Sequence, residues 1–395
     1  MKLSSINSAS IVSSLKFAVT LPVALVMSLK RKNIWLITER PQQARDNGYC
    51  FFKYMRENRP EKDVYYIIDK TSEDYKKIEK FGNVIQYNSL KHYLYYSVSK
   101  VHISAHIGGC HPYGGLWCKY ARRFLKYKEV FIPHGVSYGV AEFCLKKYAR
   151  QDLFVCSNVL EYRNVLENYG YSEDEVAYTG FPRLDYWWDN INLKKNQIVL
   201  MPTWRAYLAQ NVNTVFEETE YFKAYSDLIQ SKELSDYLII NNLKLIFYLH
   251  HNMRKYVDSF STECANIEIV SDDATYDIQE LLKNSAMLIT DYSSVHFDFA
   301  YMNKPVVYYQ FDKAEFFDKQ YKHSAFSAEE QGFGPVCNDV VDVVKSIVEL
   351  HEGCFKMPDV YYKRMRDMYK LYDRNNCKRV AEAIESKLEK NFNNL

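Results

Sequence analysis

Residues 288–312, LITDYSSVHFDFAYMNKPVVYYQFD, restrict the fold more than any other stretch. A short apolar run at 286–289 reads as a strand. The polar turn Thr290-Asp291-Tyr292-Ser293-Ser294 follows. A helical pattern through Phe297, Ala300 and Tyr301 comes next, stopped by Asn303, Lys304 and Pro305. A second β-rich run at 306–311 closes the unit. Strand–turn–helix–strand is the repeating piece of a parallel α/β sheet. At its strand-to-helix turn, unpaired backbone N–H groups point outward, and two serines add hydroxyls. Such a turn suits a phosphate or diphosphate. The plainer alternative is that Asp291 or a serine only caps the helix.

The same alternation runs through the chain. Strands are expected at 33–38, 63–68, 84–87, 100–107, 129–133, 153–157 and 175–179. The punctuating GFPRLD, residues 180–185, follows with Trp187-Trp188, and strands resume at 197–201, 243–249 and 267–270. Helical patterns lie at 49–56, 216–234, 278–284, 340–352 and 361–390. A length of 395 residues exceeds one typical core. Two doubly wound domains are therefore expected, at 33–188 and 189–355, with helices in 356–395 crossing back to the first. Residues 1–32 form a separate apolar segment. Its uncharged part, 17–29, falls short of the ~20 residues that span a bilayer. Lys30-Arg31-Lys32 follow at once. The segment reads as an amphipathic helix on the inner membrane surface, its basic cluster at anionic headgroups, or as a helix packed on the first domain.

Fifty-one basic and forty-nine acidic residues leave +2, so no general polyanion field exists and nucleic acid is not an expected partner. Nine cysteines without metal-ligand spacing point to reduced thiols on the cytoplasmic side. No metal and no cofactor are expected, and a homo-oligomer is compatible with the sequence.

His134, Arg205, His250 and the pair Ser293-Ser294 each follow an expected strand at its carboxyl end, where open α/β sheets bind ligands. His134 titrates near neutral pH and can take a proton from an attacking hydroxyl; it can equally be a loop histidine bonded to backbone. Gly135 beside it permits close backbone approach. Arg205, in Pro202-Thr203-Trp204-Arg205, offers a fork of donors to phosphate oxygens, or else an interdomain salt bridge. His250 and His251 are expected to point to opposite sides, so that one enters the site. His102, His106 and His111 lie near a glycine-rich loop and read as structural.

These motifs, in this order, resemble those of the CDP-glycerol glycerophosphotransferases, the teichoic-acid primases and polymerases and related capsule enzymes. The resemblance rests on His134-Gly135, Gly180-x-Pro182-Arg183-x-Asp185, Pro202-Thr203-Trp204-Arg205, Leu249-His250, Thr290-Asp291-Tyr292-Ser293-Ser294 with Phe297-Asp298, Lys304-Pro305 and Gly334-Pro335. It covers about residues 134–335. It implies a GT-B-like fold, two Rossmann-type domains facing across a cleft, with a C-terminal helix packing back on the first. The implied donor is a CDP-alcohol and the implied acceptor a lipid-linked or membrane-attached glycan. His134 and His250 would be catalytic. Gly135, Arg183, Asp185, Thr203, Arg205, Asp291, Ser293, Ser294, Gly334 and Pro335 would line the substrate site. The sequence departs from the family's usual pattern at residues 136–139 and at His251, which bears on acceptor and polyol. Two rival readings are a nucleotide-sugar glycosyltransferase and a non-catalytic nucleotide-binding scaffold.

Overall fold

The structure, a computed structural model, describes residues 8–29, 33–113, 123–187, 194–209, 215–271, 276–320 and 324–392. The basic run 30–32, Gly114, Gly115, Trp188 and the expected linker up to residue 193 lie outside them. The chain divides into two compact units. One gathers Met1–His134, Ala141–Tyr186 and Asp373–Leu395; the other gathers Gly135–Val140 and Trp187–Tyr372.

The first unit is built on β1 (Ile34–Thr38), β2 (Asp63–Ile68), β3 (Val84–Gln86), β4 (Val101–Ser104), β5 (Lys128–Phe131), β6 (Leu153–Cys156) and β7 (Val176–Tyr178). They form one sheet in the order β3-β2-β1-β4-β5-β6-β7. The second unit holds β8 (Lys194–Leu200), β9 (Lys244–Phe247), β10 (Ile267–Ile269), β11 (Ser285–Thr290), β12 (Val306–Tyr309) and β13 (Val336–Cys337), ordered β10-β9-β8-β11-β12-β13. Strand pairing in both sheets is parallel, for example Thr38 beside Ser104 and Leu200 beside Ile289. Helices cover both faces of such sheets, so their strands read as continuous apolar runs. Every residue of β1 and of β11 is buried.

In each sheet the strand order reverses once, between β1 and β4 and between β8 and β11. Beyond the carboxyl ends at such a reversal, the flanking connections diverge and leave a crevice. Glu39, Arg40 and His106 follow β1 and β4. Residues 202–205 and 291–294 follow β8 and β11.

Two long helical patterns are broken. Residues 216–234 become a 3-10 turn Phe216–Glu218 and the helix Glu220–Gln230, and a new helix Lys232–Ile240 begins at Ser231. Thr219 and Ser231 each accept a backbone N–H three residues on, so each starts a helix. Residues 361–390 become Asp359–Met368, which stays with the second unit, and Asn376–Phe392, which returns to the first. The division therefore falls at 186/187, and Gly135–Val140 also belong to the second unit.

The helix Ser8–Ser28 runs unbroken through Pro22. Its buried residues are Ser13, Thr20 and Ala24. The Tyr93 hydroxyl donates to Ser13 Oγ (2.8 Å), and Lys16 Nζ donates to the Asn88 carbonyl (2.8 Å). This polar stripe faces the helix Leu90–Val98, while Ile11, Leu15, Val19, Val23 and Val26 are exposed. The helix is thus docked on the first unit and still presents apolar side chains outward. By length and composition alone it could cross a membrane.

Candidate functional site

In the first unit, β5 ends at Phe131 and the chain continues through Ile132-Pro133 to His134. The start of the helix Asn47–Asn58 fixes this exit. Asn47 is fully buried, and its Nδ2 donates to the Pro133 carbonyl (2.7 Å). Its Oδ1 accepts the Arg183 N–H (3.1 Å), and the Arg183 guanidinium donates to Asp46 Oδ1 (2.7 Å). His134 is exposed, and the His106 ring lies 5.5 Å away between centroids. Surrounding protein pushes the His134 pKa below its ordinary value; Asp46 opposes this, and Arg183 and Arg40 add to it. His106 is pushed down to about 4 by burial, then by His134. Glu39 accepts the N–H groups of Arg45 (2.9 Å), Asp46 (2.9 Å) and Tyr49 (2.7 Å). Burial and then Asp46 raise its pKa to about 8, against those three donors.

Arg183 and Asp185 sit in this unit, engaged with protein groups. Asp185 accepts the N–H groups of Asn376 (2.9 Å) and Cys377 (2.8 Å), so it caps the returning helix. Burial raises its carboxyl pKa, and those two bonds pull it back. Gly180 has φ +80°, and a Cβ there would lie 1.9 Å from Asn376 Oδ1, so only glycine fits. Arg183 and Asp185 thus both brace the frame of this unit.

In the second unit, Arg205 has no exposed surface. Its Nε and Nη2 bind Asp312 (2.7 and 3.0 Å), its Nη1 donates to the Thr203 carbonyl (2.8 Å), and Nη2 lies 2.9 Å from Asp291 Oδ2. The rings of Phe316, Tyr221 and Tyr292 flank it at 4.7, 5.1 and 5.3 Å. Burial opposes its charge, but the two carboxylates outweigh that and hold its pKa well above the usual value. Asp291 also accepts the N–H groups of Thr203 (2.8 Å) and Tyr292 (2.6 Å) and the Tyr225 hydroxyl (3.1 Å). Arg205 therefore spends its fork on Asp312, Thr203 and Asp291. It ties the ends of β8, β11 and β12 together within one unit, where the sequence suggested a phosphate ligand or an interdomain bridge.

The serine turn differs. Ser294 stands at the N-cap of the helix Val295–Tyr301 without a side-chain cap bond, and Ser293 Oγ lies 3.5 Å from the Val295 nitrogen. Both serines are half-buried. Capping thus engages Ser293, whose Oγ accepts the Val295 N–H, and leaves the Ser294 hydroxyl without a cap bond. Gly135 is laid against this turn: a Cβ on it would stand 2.6 Å from Ser294 Oγ. The Tyr138 hydroxyl donates to the Tyr292 carbonyl, and the Ala325 N–H donates to the Tyr138 carbonyl (2.8 Å). Residues 135–140 therefore form one wall of the turn.

β9 ends at Phe247, so His250 and His251 do not alternate as strand residues. His250 begins a 3-10 helix, accepting the Asn252 N–H on Nδ1 (3.2 Å). Its ring stacks on Trp204 (5.8 Å, 14°) and lies 4.2 Å from the His251 ring. Gly334 and Pro335 serve the sheet. A Cβ on Gly334 would lie 1.6 Å from the Val306 carbonyl oxygen, and the Pro335 carbonyl accepts the Tyr308 N–H (2.9 Å). Lys304 serves a helix end, donating to the carbonyls of Leu282 (3.1 Å), Lys283 and Ser285 (2.9 Å). Among the described residues no three His, Cys, Asp or Glu side chains stand together as a metal site.

Sequence reasoning missed Glu39, Asp46, Asn47 and Asp312. An Asp-Asn-Gly turn before a helix did signal a cap at 46–48. Nothing local marked Asp312.

Residues 19–386 match the family model described as CDP-glycerol:poly(glycerophosphate) glycerophosphotransferase. The chain is 34% identical over 372 residues to the minor teichoic acid biosynthesis protein GgaB of Bacillus subtilis, covering 90% of this chain and 40% of that protein. It is 28% identical over 156 residues to a teichoic acid glycerol-phosphate primase of the same organism, covering 37% and 36% of the two. The chain thus spans less than half the length of these relatives. The wall teichoic acid polymerase TagF, in a variant soaked with CDPG, superposes with TM-score 0.67 at 17% identity, covering 98% of this chain and 100% of that one. A UDP-N-acetylglucosamine 2-epimerase from Listeria monocytogenes shares the fold at TM-score 0.56 and 13% identity, covering 91% and 97%. The fold is GT-B-like.

Proposed function

The chain belongs to the CDP-glycerol:poly(glycerophosphate) glycerophosphotransferase family, and from that premise we propose that it transfers glycerol phosphate or ribitol phosphate from a CDP-alcohol to a hydroxyl of a membrane-attached glycan or polyol-phosphate chain. The observation that carries this reading is the family match over residues 19–386. The acceptor oxygen attacks the β-phosphorus and forms a new P–O bond. The bond from that phosphorus to the bridging oxygen breaks, and CMP leaves. His134 takes the acceptor proton, and its lowered pKa keeps it neutral and able to do so near pH 7. Charge gathers on the phosphoryl oxygens, where prealigned donors stabilise it. Ser293, Ser294 and His250 supply such donors. Arg205 and Asp291 contribute by holding the serine turn in place.

Relatives named for glycerol phosphate and for ribitol phosphate keep both polyols in view. The rival nucleotide-sugar reaction is separated by a donor panel. Purified protein, offered CDP-glycerol, CDP-ribitol and UDP-sugars with a lipid-linked acceptor, should release CMP and extend the acceptor by one polyol phosphate in mass. UDP release with sugar addition would replace this reading.

The exposed apolar side of the helix Ser8–Ser28, followed in sequence by Lys30-Arg31-Lys32, supports peripheral attachment to the cytoplasmic membrane surface. Sedimentation with anionic but not neutral vesicles is the expected result.

A further inference from the structure

We propose that Asp46 and Asn47, at the start of the helix Asn47–Asn58, are positioning residues that aim and polarise His134. This rests on the reading of His134 as the base.

Asn47 acts on the backbone. Its buried amide holds the carbonyl of Pro133, the residue before His134, and also the N–H of Arg183. The direction in which His134 leaves β5 is thereby set by a rigid helix end, not by a free loop. Asp46 acts through charge. Its side chain is half-buried, and its carboxylate is gripped by the buried Arg183 guanidinium at 2.7 Å. Asp46 directly precedes the residue that tethers Pro133, and its negative charge favours the His134 imidazolium once a proton is taken. The charged and titratable groups around His134 are Asp46, Arg183, Arg40 and His106. Asp46 favours the imidazolium, whereas Arg183, Arg40 and a protonated His106 oppose it. Glu39 faces Asp46 from the end of β1 through the backbone of residues 45–49. Arg183 thus tempers Asp46, and the pair leaves His134 a base that is neutral at rest.

The two partners should move His134 in opposite directions. The test is an NMR titration of His134 in the full-length protein with 13C-labelled histidine, assigned by loss of its signal in His134→Gln. Asp46→Asn removes the attracting charge and frees Arg183, so the midpoint should fall by about one pH unit. Arg183→Met removes the opposing cation, so the midpoint should rise. Asp46→Glu should return the midpoint toward that of the unaltered protein. The acid limb of kcat with CDP-glycerol should follow each shift. Asn47→Ala should leave the midpoint in place and lower kcat roughly tenfold, with little change in KM. A purely structural role would lower thermal stability without opposed shifts in the midpoint. Midpoints unmoved by both Asp46→Asn and Arg183→Met would overturn the proposal. If Asp46→Asn does not fold, a rise in Arg183→Met supports the proposal and its absence overturns it. Opposed shifts without any change in the kcat profile would instead remove His134 as the base and leave the electrostatic pairing standing.

Discussion

The two units place charged clusters at the same topological position, beyond the strand ends where the sheet order reverses, yet the clusters differ in kind. In the second unit, one guanidinium and two carboxylates are sealed among aromatic rings, with their hydrogen bonds directed at one another and at Thr203, Tyr225 and Tyr292. In the first, His134 is exposed, and Arg183 pairs with Asp46 at 2.7 Å. A sealed network resists solvent and holds strand ends in register, but it has little left to offer a ligand. An open one can exchange protons. Arg205 lies in one of the motifs that carry the family resemblance, and it belongs to the sealed cluster. The motif alone does not show that the guanidinium's hydrogen bonds are directed at Asp312, Thr203 and Asp291.

This contrast can be broken at several points. Arg205→Ala leaves Asp291 and Asp312 buried without their cation. Removing one partner of a buried pair costs about 3–5 kcal/mol. Denaturant unfolding of that protein should show such a loss, and activity should fail in step with folding. Lys304→Met leaves three carbonyls at the end of the helix Ile278–Asn284 without a donor. About 1–3 kcal/mol of stability should go, with turnover of the folded fraction unchanged. Gly135→Ala presses on Ser294 and should lower kcat roughly ten- to hundredfold while shifting the thermal midpoint little.

A further effect concerns acid. Burial pushes His92 down to about 4 and His296 down to about 3. Both bind protons more readily unfolded, near the ordinary 6.5, so their stability contribution is complete above that pH. It is lost as pH falls from 6.5 toward about 4 for His92 and about 3 for His296, at up to about 1.4 kcal/mol per pH unit for each. His296→Phe should flatten its share of that slope in unfolding curves between pH 6.5 and 4. An unchanged slope would show that another group drives the acid loss.

The fold was largely legible because parallel strands are buried on both faces and so appear as uninterrupted apolar runs. β13, two residues long, carries no period to read. The break after residue 368 depends on Asp185, 191 residues before the Asn376 N–H it caps. The serine turn was visible locally because its hydroxyls and its helix are neighbours in sequence. The role of Arg205 was not, because Asp312 lies 107 residues away and no local spacing reveals such a partner. Asp46 and Asn47 fall before the expected helix 49–56, and no local spacing reveals the tether from Asn47 to Pro133, 86 residues on.

The most direct test is CMP release from CDP-glycerol by His134→Ala, measured on protein whose thermal midpoint is also recorded. A general base contributes roughly 10²–10⁴-fold. The account predicts a fall in kcat of that size with the midpoint shifted little, because the only ring set against the His134 imidazole among the described residues is that of His106. Turnover within threefold of the unaltered protein would contradict it.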